Sequence, residues 1–198
     1  MSGLARDRLV VSGVAATVDG APVPVAEVDA REQVLRSSPQ TAALPRPGTS
    51  EGRQLRRWLT QLLVTERVVA REAEALGVAA TATTPSERDL IPDLTARLEI
   101  GSIAASVLAD PVARAVFEHV TEHVDVDAGT VADYRRRNPN RFAGDPDAIT
   151  RIAEMLRGAA RRRFFRIWLE QRRAALVWLS PGYEHPGDPR QPDNVHKH

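Results

Sequence analysis

Residues 9–25 read LVVSGVAATVDGAPVPV, and this stretch decides the fold together with a partner at the far end of the chain. Its apolar run ends at Asp19-Gly20, a dipeptide typical of hairpin turns, and a short extended return follows. A second strand is predicted at Leu176–Leu179 (LVWL). Because an isolated strand leaves its backbone groups unpaired, we expect Val10–Val18 to pair with this second strand.

Between these strands, apolar residues recur at helical spacing. Ser50 is predicted to cap the strongest helix, and Gly77 to end it. The fold class predicted is mainly α, a multi-helix lobe with its N- and C-terminal strands paired in a small sheet. The predicted helices cover 26–38, 50–76, one or two short segments within 90–108, 110–123, a short segment ending near 138, and 147–174.

The amino-acid composition excludes several kinds of functional site. The chain has 198 residues, 42% hydrophobic content, no cysteine and a net charge of +1. The length and apolar content suit one compact core, or a core with an additional lobe. The absence of cysteine excludes disulfides, thiolate nucleophiles and Cys-type zinc sites. A net charge near zero does not favour binding to nucleic acid or to an acidic membrane. Arg6 and Arg8 before an apolar run faintly imitate a signal peptide, but Ser12, Gly13 and Thr17 interrupt the run. We therefore expect a cytoplasmic protein with no membrane contact.

Four stretches follow one another in a familiar order. VAATVDGAPVPVAEVDARE (14–32) reads as strand, turn, short return and helix. LRRWLTQLLVTERVVAREAEALGV (55–78) is a Leu-rich helix ending in Leu-Gly-Val, VDVDAGTVADYRRRNPNRF (124–142) is a short helix with its following loop, and RRRFFRIWLEQRRAALVWL (161–179) is a helix and a strand. In this order they resemble the chaperone lobe of SurA/PrsA-type foldases.

The resemblance implies a lobe over residues 1–180 that holds a peptide, a partner protein or a small molecule. Between Phe142 and Asp147, where that family carries a parvulin prolyl isomerase domain, this chain has only AGDP. The resemblance therefore implies no isomerase activity. It leaves residues 181–198 as a Pro/His-rich tail that we expect to pack on the body, and similar tails occur in a group of actinobacterial proteins.

Four aromatic side chains are candidates for the wall of an apolar ligand cradle, which would grip a client or a small ligand. For the three tryptophans, Trp58, Trp168 and Trp178, core packing is the favoured interpretation and a place in the cradle wall is the alternative. The four candidates are Trp58, Tyr134, Phe164 and Trp168.

Two of the five histidines, His119 and His123, are four residues apart on a predicted helix, a spacing that lets two imidazoles chelate one metal ion. At helical geometry both lie on or beside an apolar stripe that contains Val112 and Val116. Two interpretations stay open, a pair of partly buried core histidines with hydrogen-bond partners, or a metal-binding or catalytic pair.

The other three histidines are His185, His196 and His198 in the tail, with Asp188 and Asp193 close in sequence. In an extended segment the last two histidines point to the same side, and histidine with carboxylate favours zinc, iron, manganese or nickel. A disordered polar end is the alternative. Without a phosphate loop, a G-x-G-x-x-G or an H-E-x-x-H motif, the sequence predicts no nucleotide cofactor.

Three hypotheses follow, in order of preference. The first is a chaperone-like binding protein with a His-based divalent metal site, in which a homodimer is an open alternative. The second is a metal-dependent enzyme of specialised metabolism on the same scaffold. The third, which the residues favour least, is a nucleic-acid-binding protein, since the arginine runs at 135–137 and 161–163 read better as solvated helix surfaces.

Overall fold

Three short strands form an antiparallel sheet in a computed structural model, which describes residues 13–188. The strands are β1 (Val14–Val18), β2 (Ala21–Pro24) and β3 (Val177–Leu179), in the order β2-β1-β3. Asp19 and Gly20 have φ angles of 50° and 79°. Two consecutive positive φ angles suit a tight turn whose twist matches that of the strands, so the predicted hairpin is confirmed.

β3 pairs with β1 on the side of β1 opposite to β2, and the pairing of the two predicted strands is the expected one. Thr17 lies opposite Trp178 in this pairing. The backbone N–H of Ser180 donates to the carbonyl of Ala15 over 3.0 Å, and its hydroxyl donates to the carbonyl of Val14 over 2.6 Å. The predicted pairing is therefore confirmed for Ala16–Val18, which lie opposite Val177–Leu179, and the part of it at residues 10–12 lies outside the described residues.

The rest of the described chain is mainly helical, as predicted. A short 3-10 helix, Pro39–Ala43, lies within the predicted loop after α1. The α-helices are α1 (Val25–Arg36), α2 (Ser50–Leu76), α3 (Glu87–Leu90), α4 (Leu94–Ile100), α5 (Ser102–Val107), α6 (Pro111–Thr121), α7 (Ala128–Arg137) and α8 (Ala148–Leu176).

Local capping explains where α2 begins and ends. Thr49, not the predicted Ser50, is the cap, because its hydroxyl accepts from the N–H of Gly52 over 3.1 Å. At the other end Gly77 has a φ of 65°, and the N–H of Val78 reaches back to the carbonyl of Ala73 over 2.9 Å. This is a Schellman ending, which needs glycine at the left-handed position.

The described chain divides into two compact units, residues 13–67 with 176–188, and residues 68–175. In the first unit, α1 is tied to α2 by ion pairs such as Arg31 to Glu66 and Arg56 to Asp29, both at 2.6 Å. Its core residues are Ala15, Ala16, Val18, Val23, Val28, Leu59, Leu62, Leu63 and Val64.

The second unit packs around two fully buried rings. Phe117 on α6 and Phe165 on α8 lie with their ring centroids 5.0 Å apart, and Trp168 stacks on Phe165 at 5.6 Å. Buried aliphatic residues from the shorter helices complete this core. Among the described helices, none has the length and apolar character needed to cross a membrane.

Candidate functional site

One predicted metal-binding pair lies at the C-terminal end of α6, with His119 on the helix and His123 two residues after it. His119 and His123 are exposed, so the interpretation of the pair as partly buried core histidines is wrong. The buried face of α6 is instead centred on Ala113, Val116 and Phe117. At about 100° per residue, the histidines lie roughly a quarter turn away from that centre.

The burial of Thr121 explains much of the difference between the predicted and the observed buried face of α6. It is completely buried, although it is polar, because its hydroxyl donates to the carbonyl of Phe117 over 2.6 Å and accepts from Nε of Arg161 over 2.8 Å. The Arg161 guanidinium also pairs with Glu118 at 2.8 Å and lies 5.2 Å from the Phe117 ring centroid. With its hydrogen bonds satisfied, Thr121 takes a place in the core that an apolar pattern does not predict.

The aromatic residues predicted to form a cradle make separate contacts. Phe164 meets the edge of His123 at 4.8 Å, and Tyr134 meets Phe142 at 6.3 Å between ring centroids. Trp168 stacks within the core of the second unit, whereas Trp58 belongs to the first unit. All four cradle candidates are partly buried. A single cradle lined by these four residues stays a prediction.

His119 lines a polar groove of about 350 Å³ in the second unit. One wall is the turn at 81–84, where the hydroxyls of Thr81 and Thr83 are 2.9 Å apart and Thr84 accepts from the N–H of Thr81. The other wall is α6 and the residue after it, with Glu118 and Glu122 beside the imidazole. Hydroxyls, carboxylates and an imidazole can hydrogen-bond a polar ligand here, and the imidazole can exchange a proton with it.

The start of the tail is anchored in the first unit. Gln61 Nε2 on α2 donates to the carbonyl of Tyr183 over 3.1 Å, and the N–H of Tyr183 donates to the carbonyl of Ser180. Partial burial lowers the pKa of Arg56, but hydrogen bonds with Asp29, Tyr183 and Glu32 outweigh it and raise the pKa above its ordinary value. Arg56 therefore stays charged and helps to hold this segment.

His185 is exposed, and its Nδ1 accepts from the N–H of Gly187 over 3.0 Å, so that nitrogen serves a turn in the tail. Neither His185 nor Asp188 belongs to a metal-binding group, since within residues 13–188 no three His, Asp or Glu side chains are grouped to hold a metal ion. The remaining predicted ligands, Asp193, His196 and His198, lie outside the described residues. A metal site built on them stays a prediction.

A second groove lies where the chain passes from α7 to α8, and we call it the arginine groove. It encloses about 450 Å³ in the second unit. Arg135 and Arg136 face it from the last turn of α7, and Phe142 and Ile149 contribute apolar surface. Its lining is Ala132, Arg135, Arg136, Pro139, Phe142, Ala143, Gly144 and Ile149.

The arginine run at 161–163 on α8 was predicted to be a solvated helix surface. The structure shows that only part of it is exposed. Arg162 is 8% exposed, and its Nε donates to Glu99 over 2.8 Å while Nη1 donates to the carbonyl of Leu90 over 3.2 Å. Arg161 is partly buried against α6, and Arg163 alone of the three is exposed. Two of these three arginines thus hold the second unit together.

Large apolar side chains are also left exposed on the helices. Leu94 and Leu98 lie one turn apart on α4 and are 69% and 72% exposed. On α8, Ile149 and Ile167 are about half exposed. Single exposed leucines are common on protein surfaces, but a pair on one short helix forms a small apolar surface that a binding partner can cover.

Comparison with known proteins gives one finding. A family model described as a family of unknown function (DUF7158) matches residues 14–51, which contain β1, β2, α1 and the 3-10 helix. No curated protein and no solved structure matches the chain.

Proposed function

We propose that this chain is a cytoplasmic, chaperone-like binding protein that holds segments of a client polypeptide. The observation that carries the proposal is the exposure of Leu94 and Leu98, side by side on α4. An extended client segment can cover these two side chains and remove their apolar surface from water. The resemblance of the element order to the SurA/PrsA-type chaperone lobe supports the same function.

The chain architecture fits a lobe without an isomerase domain. β3 pairs with β1 and completes the three-stranded sheet, although α7 and α8 are joined only by residues 138–147. Such a lobe can bind a client by surface contact alone and needs no catalytic residue. We therefore assign the exposed apolar and charged surfaces of the helices to binding.

Replacing both leucines by serine, Leu94→Ser with Leu98→Ser, will weaken client holding about threefold or more, because each substitution removes apolar surface that a client would bury. The measurement is light scattering of reduced insulin, titrated with the protein. Since both side chains are exposed, the free energy of unfolding should change by no more than about 0.5 kcal/mol for each site.

Val34→Ser is the matched control, because Val34 is 69% exposed on a different helix, α1. This variant should hold insulin as well as the parent does. No suppression of scattering by the parent protein would sink the proposed function. Equal losses in the control and in the double variant would show that α4 has no special part in it.

A bound metal ion is the second proposal, and it rests on His196 and His198 in the tail. If these side chains hold the ion, untagged protein supplied with zinc, iron, manganese and nickel will contain about one metal ion per chain by elemental analysis. The variant His196→Ala with His198→Ala will lose it, whereas His119→Ala with His123→Ala will keep it. Sub-stoichiometric metal in the parent protein would contradict the proposal, and a metal-dependent enzyme would then lose its basis as well.

A further inference from the structure

We propose that the arginine groove binds acidic peptide segments that also carry an apolar side chain. The inference rests on the proposed function, because it names the class of client sequence that one site on this protein selects. The occupant is an extended segment in which a carboxylate meets Arg135 and Arg136 while a neighbouring apolar side chain meets Phe142 and Ile149.

The arginine groove has two guanidinium groups that an incoming carboxylate can bind. Arg135 is exposed, and its guanidinium makes no hydrogen bond or ion pair with any described residue. Arg136 pairs with Asp133 at 2.9 Å, but the two side chains are 74% and 51% exposed. An exposed pair of this kind contributes little to stability, so Arg136 can exchange its partner for an incoming carboxylate.

The surrounding acidic groups do not cancel this charge. Asp145 lies on the connection beside the groove, yet its carboxylate accepts from Arg151 over 2.8 Å and from the N–H of Asp147 over 2.9 Å. Two guanidinium groups with planar donor edges therefore remain available for carboxylates.

The arginine groove also has an apolar lining with space for a side chain. Ile149 is 47% exposed at the start of α8, and Ala143 and Gly144 leave space beside it because neither has a long side chain. Gly144 has a φ of 75°, which lets the connection turn tightly at the groove. The volume of about 450 Å³ falls within the roughly 300–1,000 Å³ typical of ligand sites. An aliphatic side chain of a peptide therefore fits here.

Single-stranded nucleic acid is the competing occupant, and the geometry favours the peptide. Stacking of bases needs an open aromatic face, but the guanidinium of Arg141 lies 5.6 Å from the ring centroid of Phe142. Tyr134 makes a T-shaped contact with the same ring, and its hydroxyl accepts from Arg141 over 2.9 Å. A ring covered in this way presents less surface to a base than to an aliphatic side chain at its edge.

Fluorescence anisotropy tests the inference with three short labelled peptides. One alternates Asp with Leu, one alternates Lys with Leu, and one alternates Asp with Ser. The parent protein should bind the Asp/Leu peptide at least about tenfold more tightly than either of the others, and added salt should weaken that binding. A preference for the Lys/Leu peptide, or equal binding of all three, would overturn the inference.

Charge reversal locates the site. Arg135→Glu with Arg136→Glu should weaken binding of the Asp/Leu peptide about tenfold or more, and Ile149→Ser should weaken it about fivefold. Arg163→Glu with Arg166→Glu is the matched control, since both arginines are exposed on α8 and the net charge changes equally. Binding by the control should stay within about twofold of the parent value. An equal loss in the control would show that the arginine groove is not the binding site.

Two further outcomes separate the hypotheses. If the parent protein suppresses insulin aggregation but does not bind the Asp/Leu peptide, the inference fails while the proposed function stands. If a single-stranded RNA of equal length binds more tightly than the peptide, and the Arg135→Glu, Arg136→Glu variant loses that binding, the groove is a nucleic-acid site and the inference is wrong.

Discussion

Replacing Phe165 by alanine will lower the free energy of unfolding by about 4 kcal/mol. Phe165 is 0% exposed, and its ring contacts Phe117 at 5.0 Å and stacks on Trp168 at 5.6 Å. The substitution removes the transfer energy of a buried ring, leaves a cavity and breaks both ring contacts. Chemical denaturation followed by circular dichroism measures the change.

Phe164→Ala is the control for this prediction, because it removes the same atoms one position earlier in α8. Phe164 is only partly buried, and its ring meets the edge of His123. The expected loss is about 1–2 kcal/mol, in proportion to the smaller buried area. Equal losses at the two positions would mean that the core of the second unit is not centred on Phe165.

Replacing Arg162 by alanine will lower the free energy of unfolding by about 3 kcal/mol. Its guanidinium donates to Glu99 and to the carbonyl of Leu90, and the residue is 8% exposed. Without the arginine, the carboxylate and the buried carbonyl lose their partners. The Glu99 side chain is 35% exposed, so water can partly hydrate it, which places the loss at the lower end for a broken buried pair.

Arg157→Ala provides the comparison on the same helix. Arg157 donates to Asp125 through Nε at 2.9 Å, nearly the geometry of the Arg162 pair, but the two side chains are 44% and 69% exposed. Its loss should cost at most about 1 kcal/mol. If the two alanine variants unfold at the same denaturant concentration, burial of Arg162 contributes nothing and the prediction is wrong.

Local signals predicted the helices well. Asp110 caps α6 through its bond to the N–H of Val112, and Pro111 stands at the first helical position. Gly77 ends α2 with the bonds expected of a left-handed residue. The sequence predicts the cap of α2 one residue too late, at Ser50 instead of Thr49, because serine and threonine are both common caps and only the bond from Gly52 distinguishes them.

The candidate site was predicted less well. The spacing of His119 and His123 is a local property, whereas their exposure depends on which face of α6 packs against the rest of the second unit. The arginine groove had a signal in the run at 135–137, but that run alone does not distinguish a solvated helix end from a binding surface. Phe142 and Ile149 give it a second, apolar wall, and they come together only through the turn at Gly144.

The order of helices and strands and the pairing of β1 with β3 can be predicted from the sequence. Capping residues and periodicity act within a few positions, and β1 had no other long-range partner than β3. Which faces of the helices are buried depends instead on tertiary packing. A polar residue such as Thr121 or Arg162 enters the core when a distant group satisfies its hydrogen bonds, and those distant partners, Arg161 and Glu99, cannot be identified from local pattern.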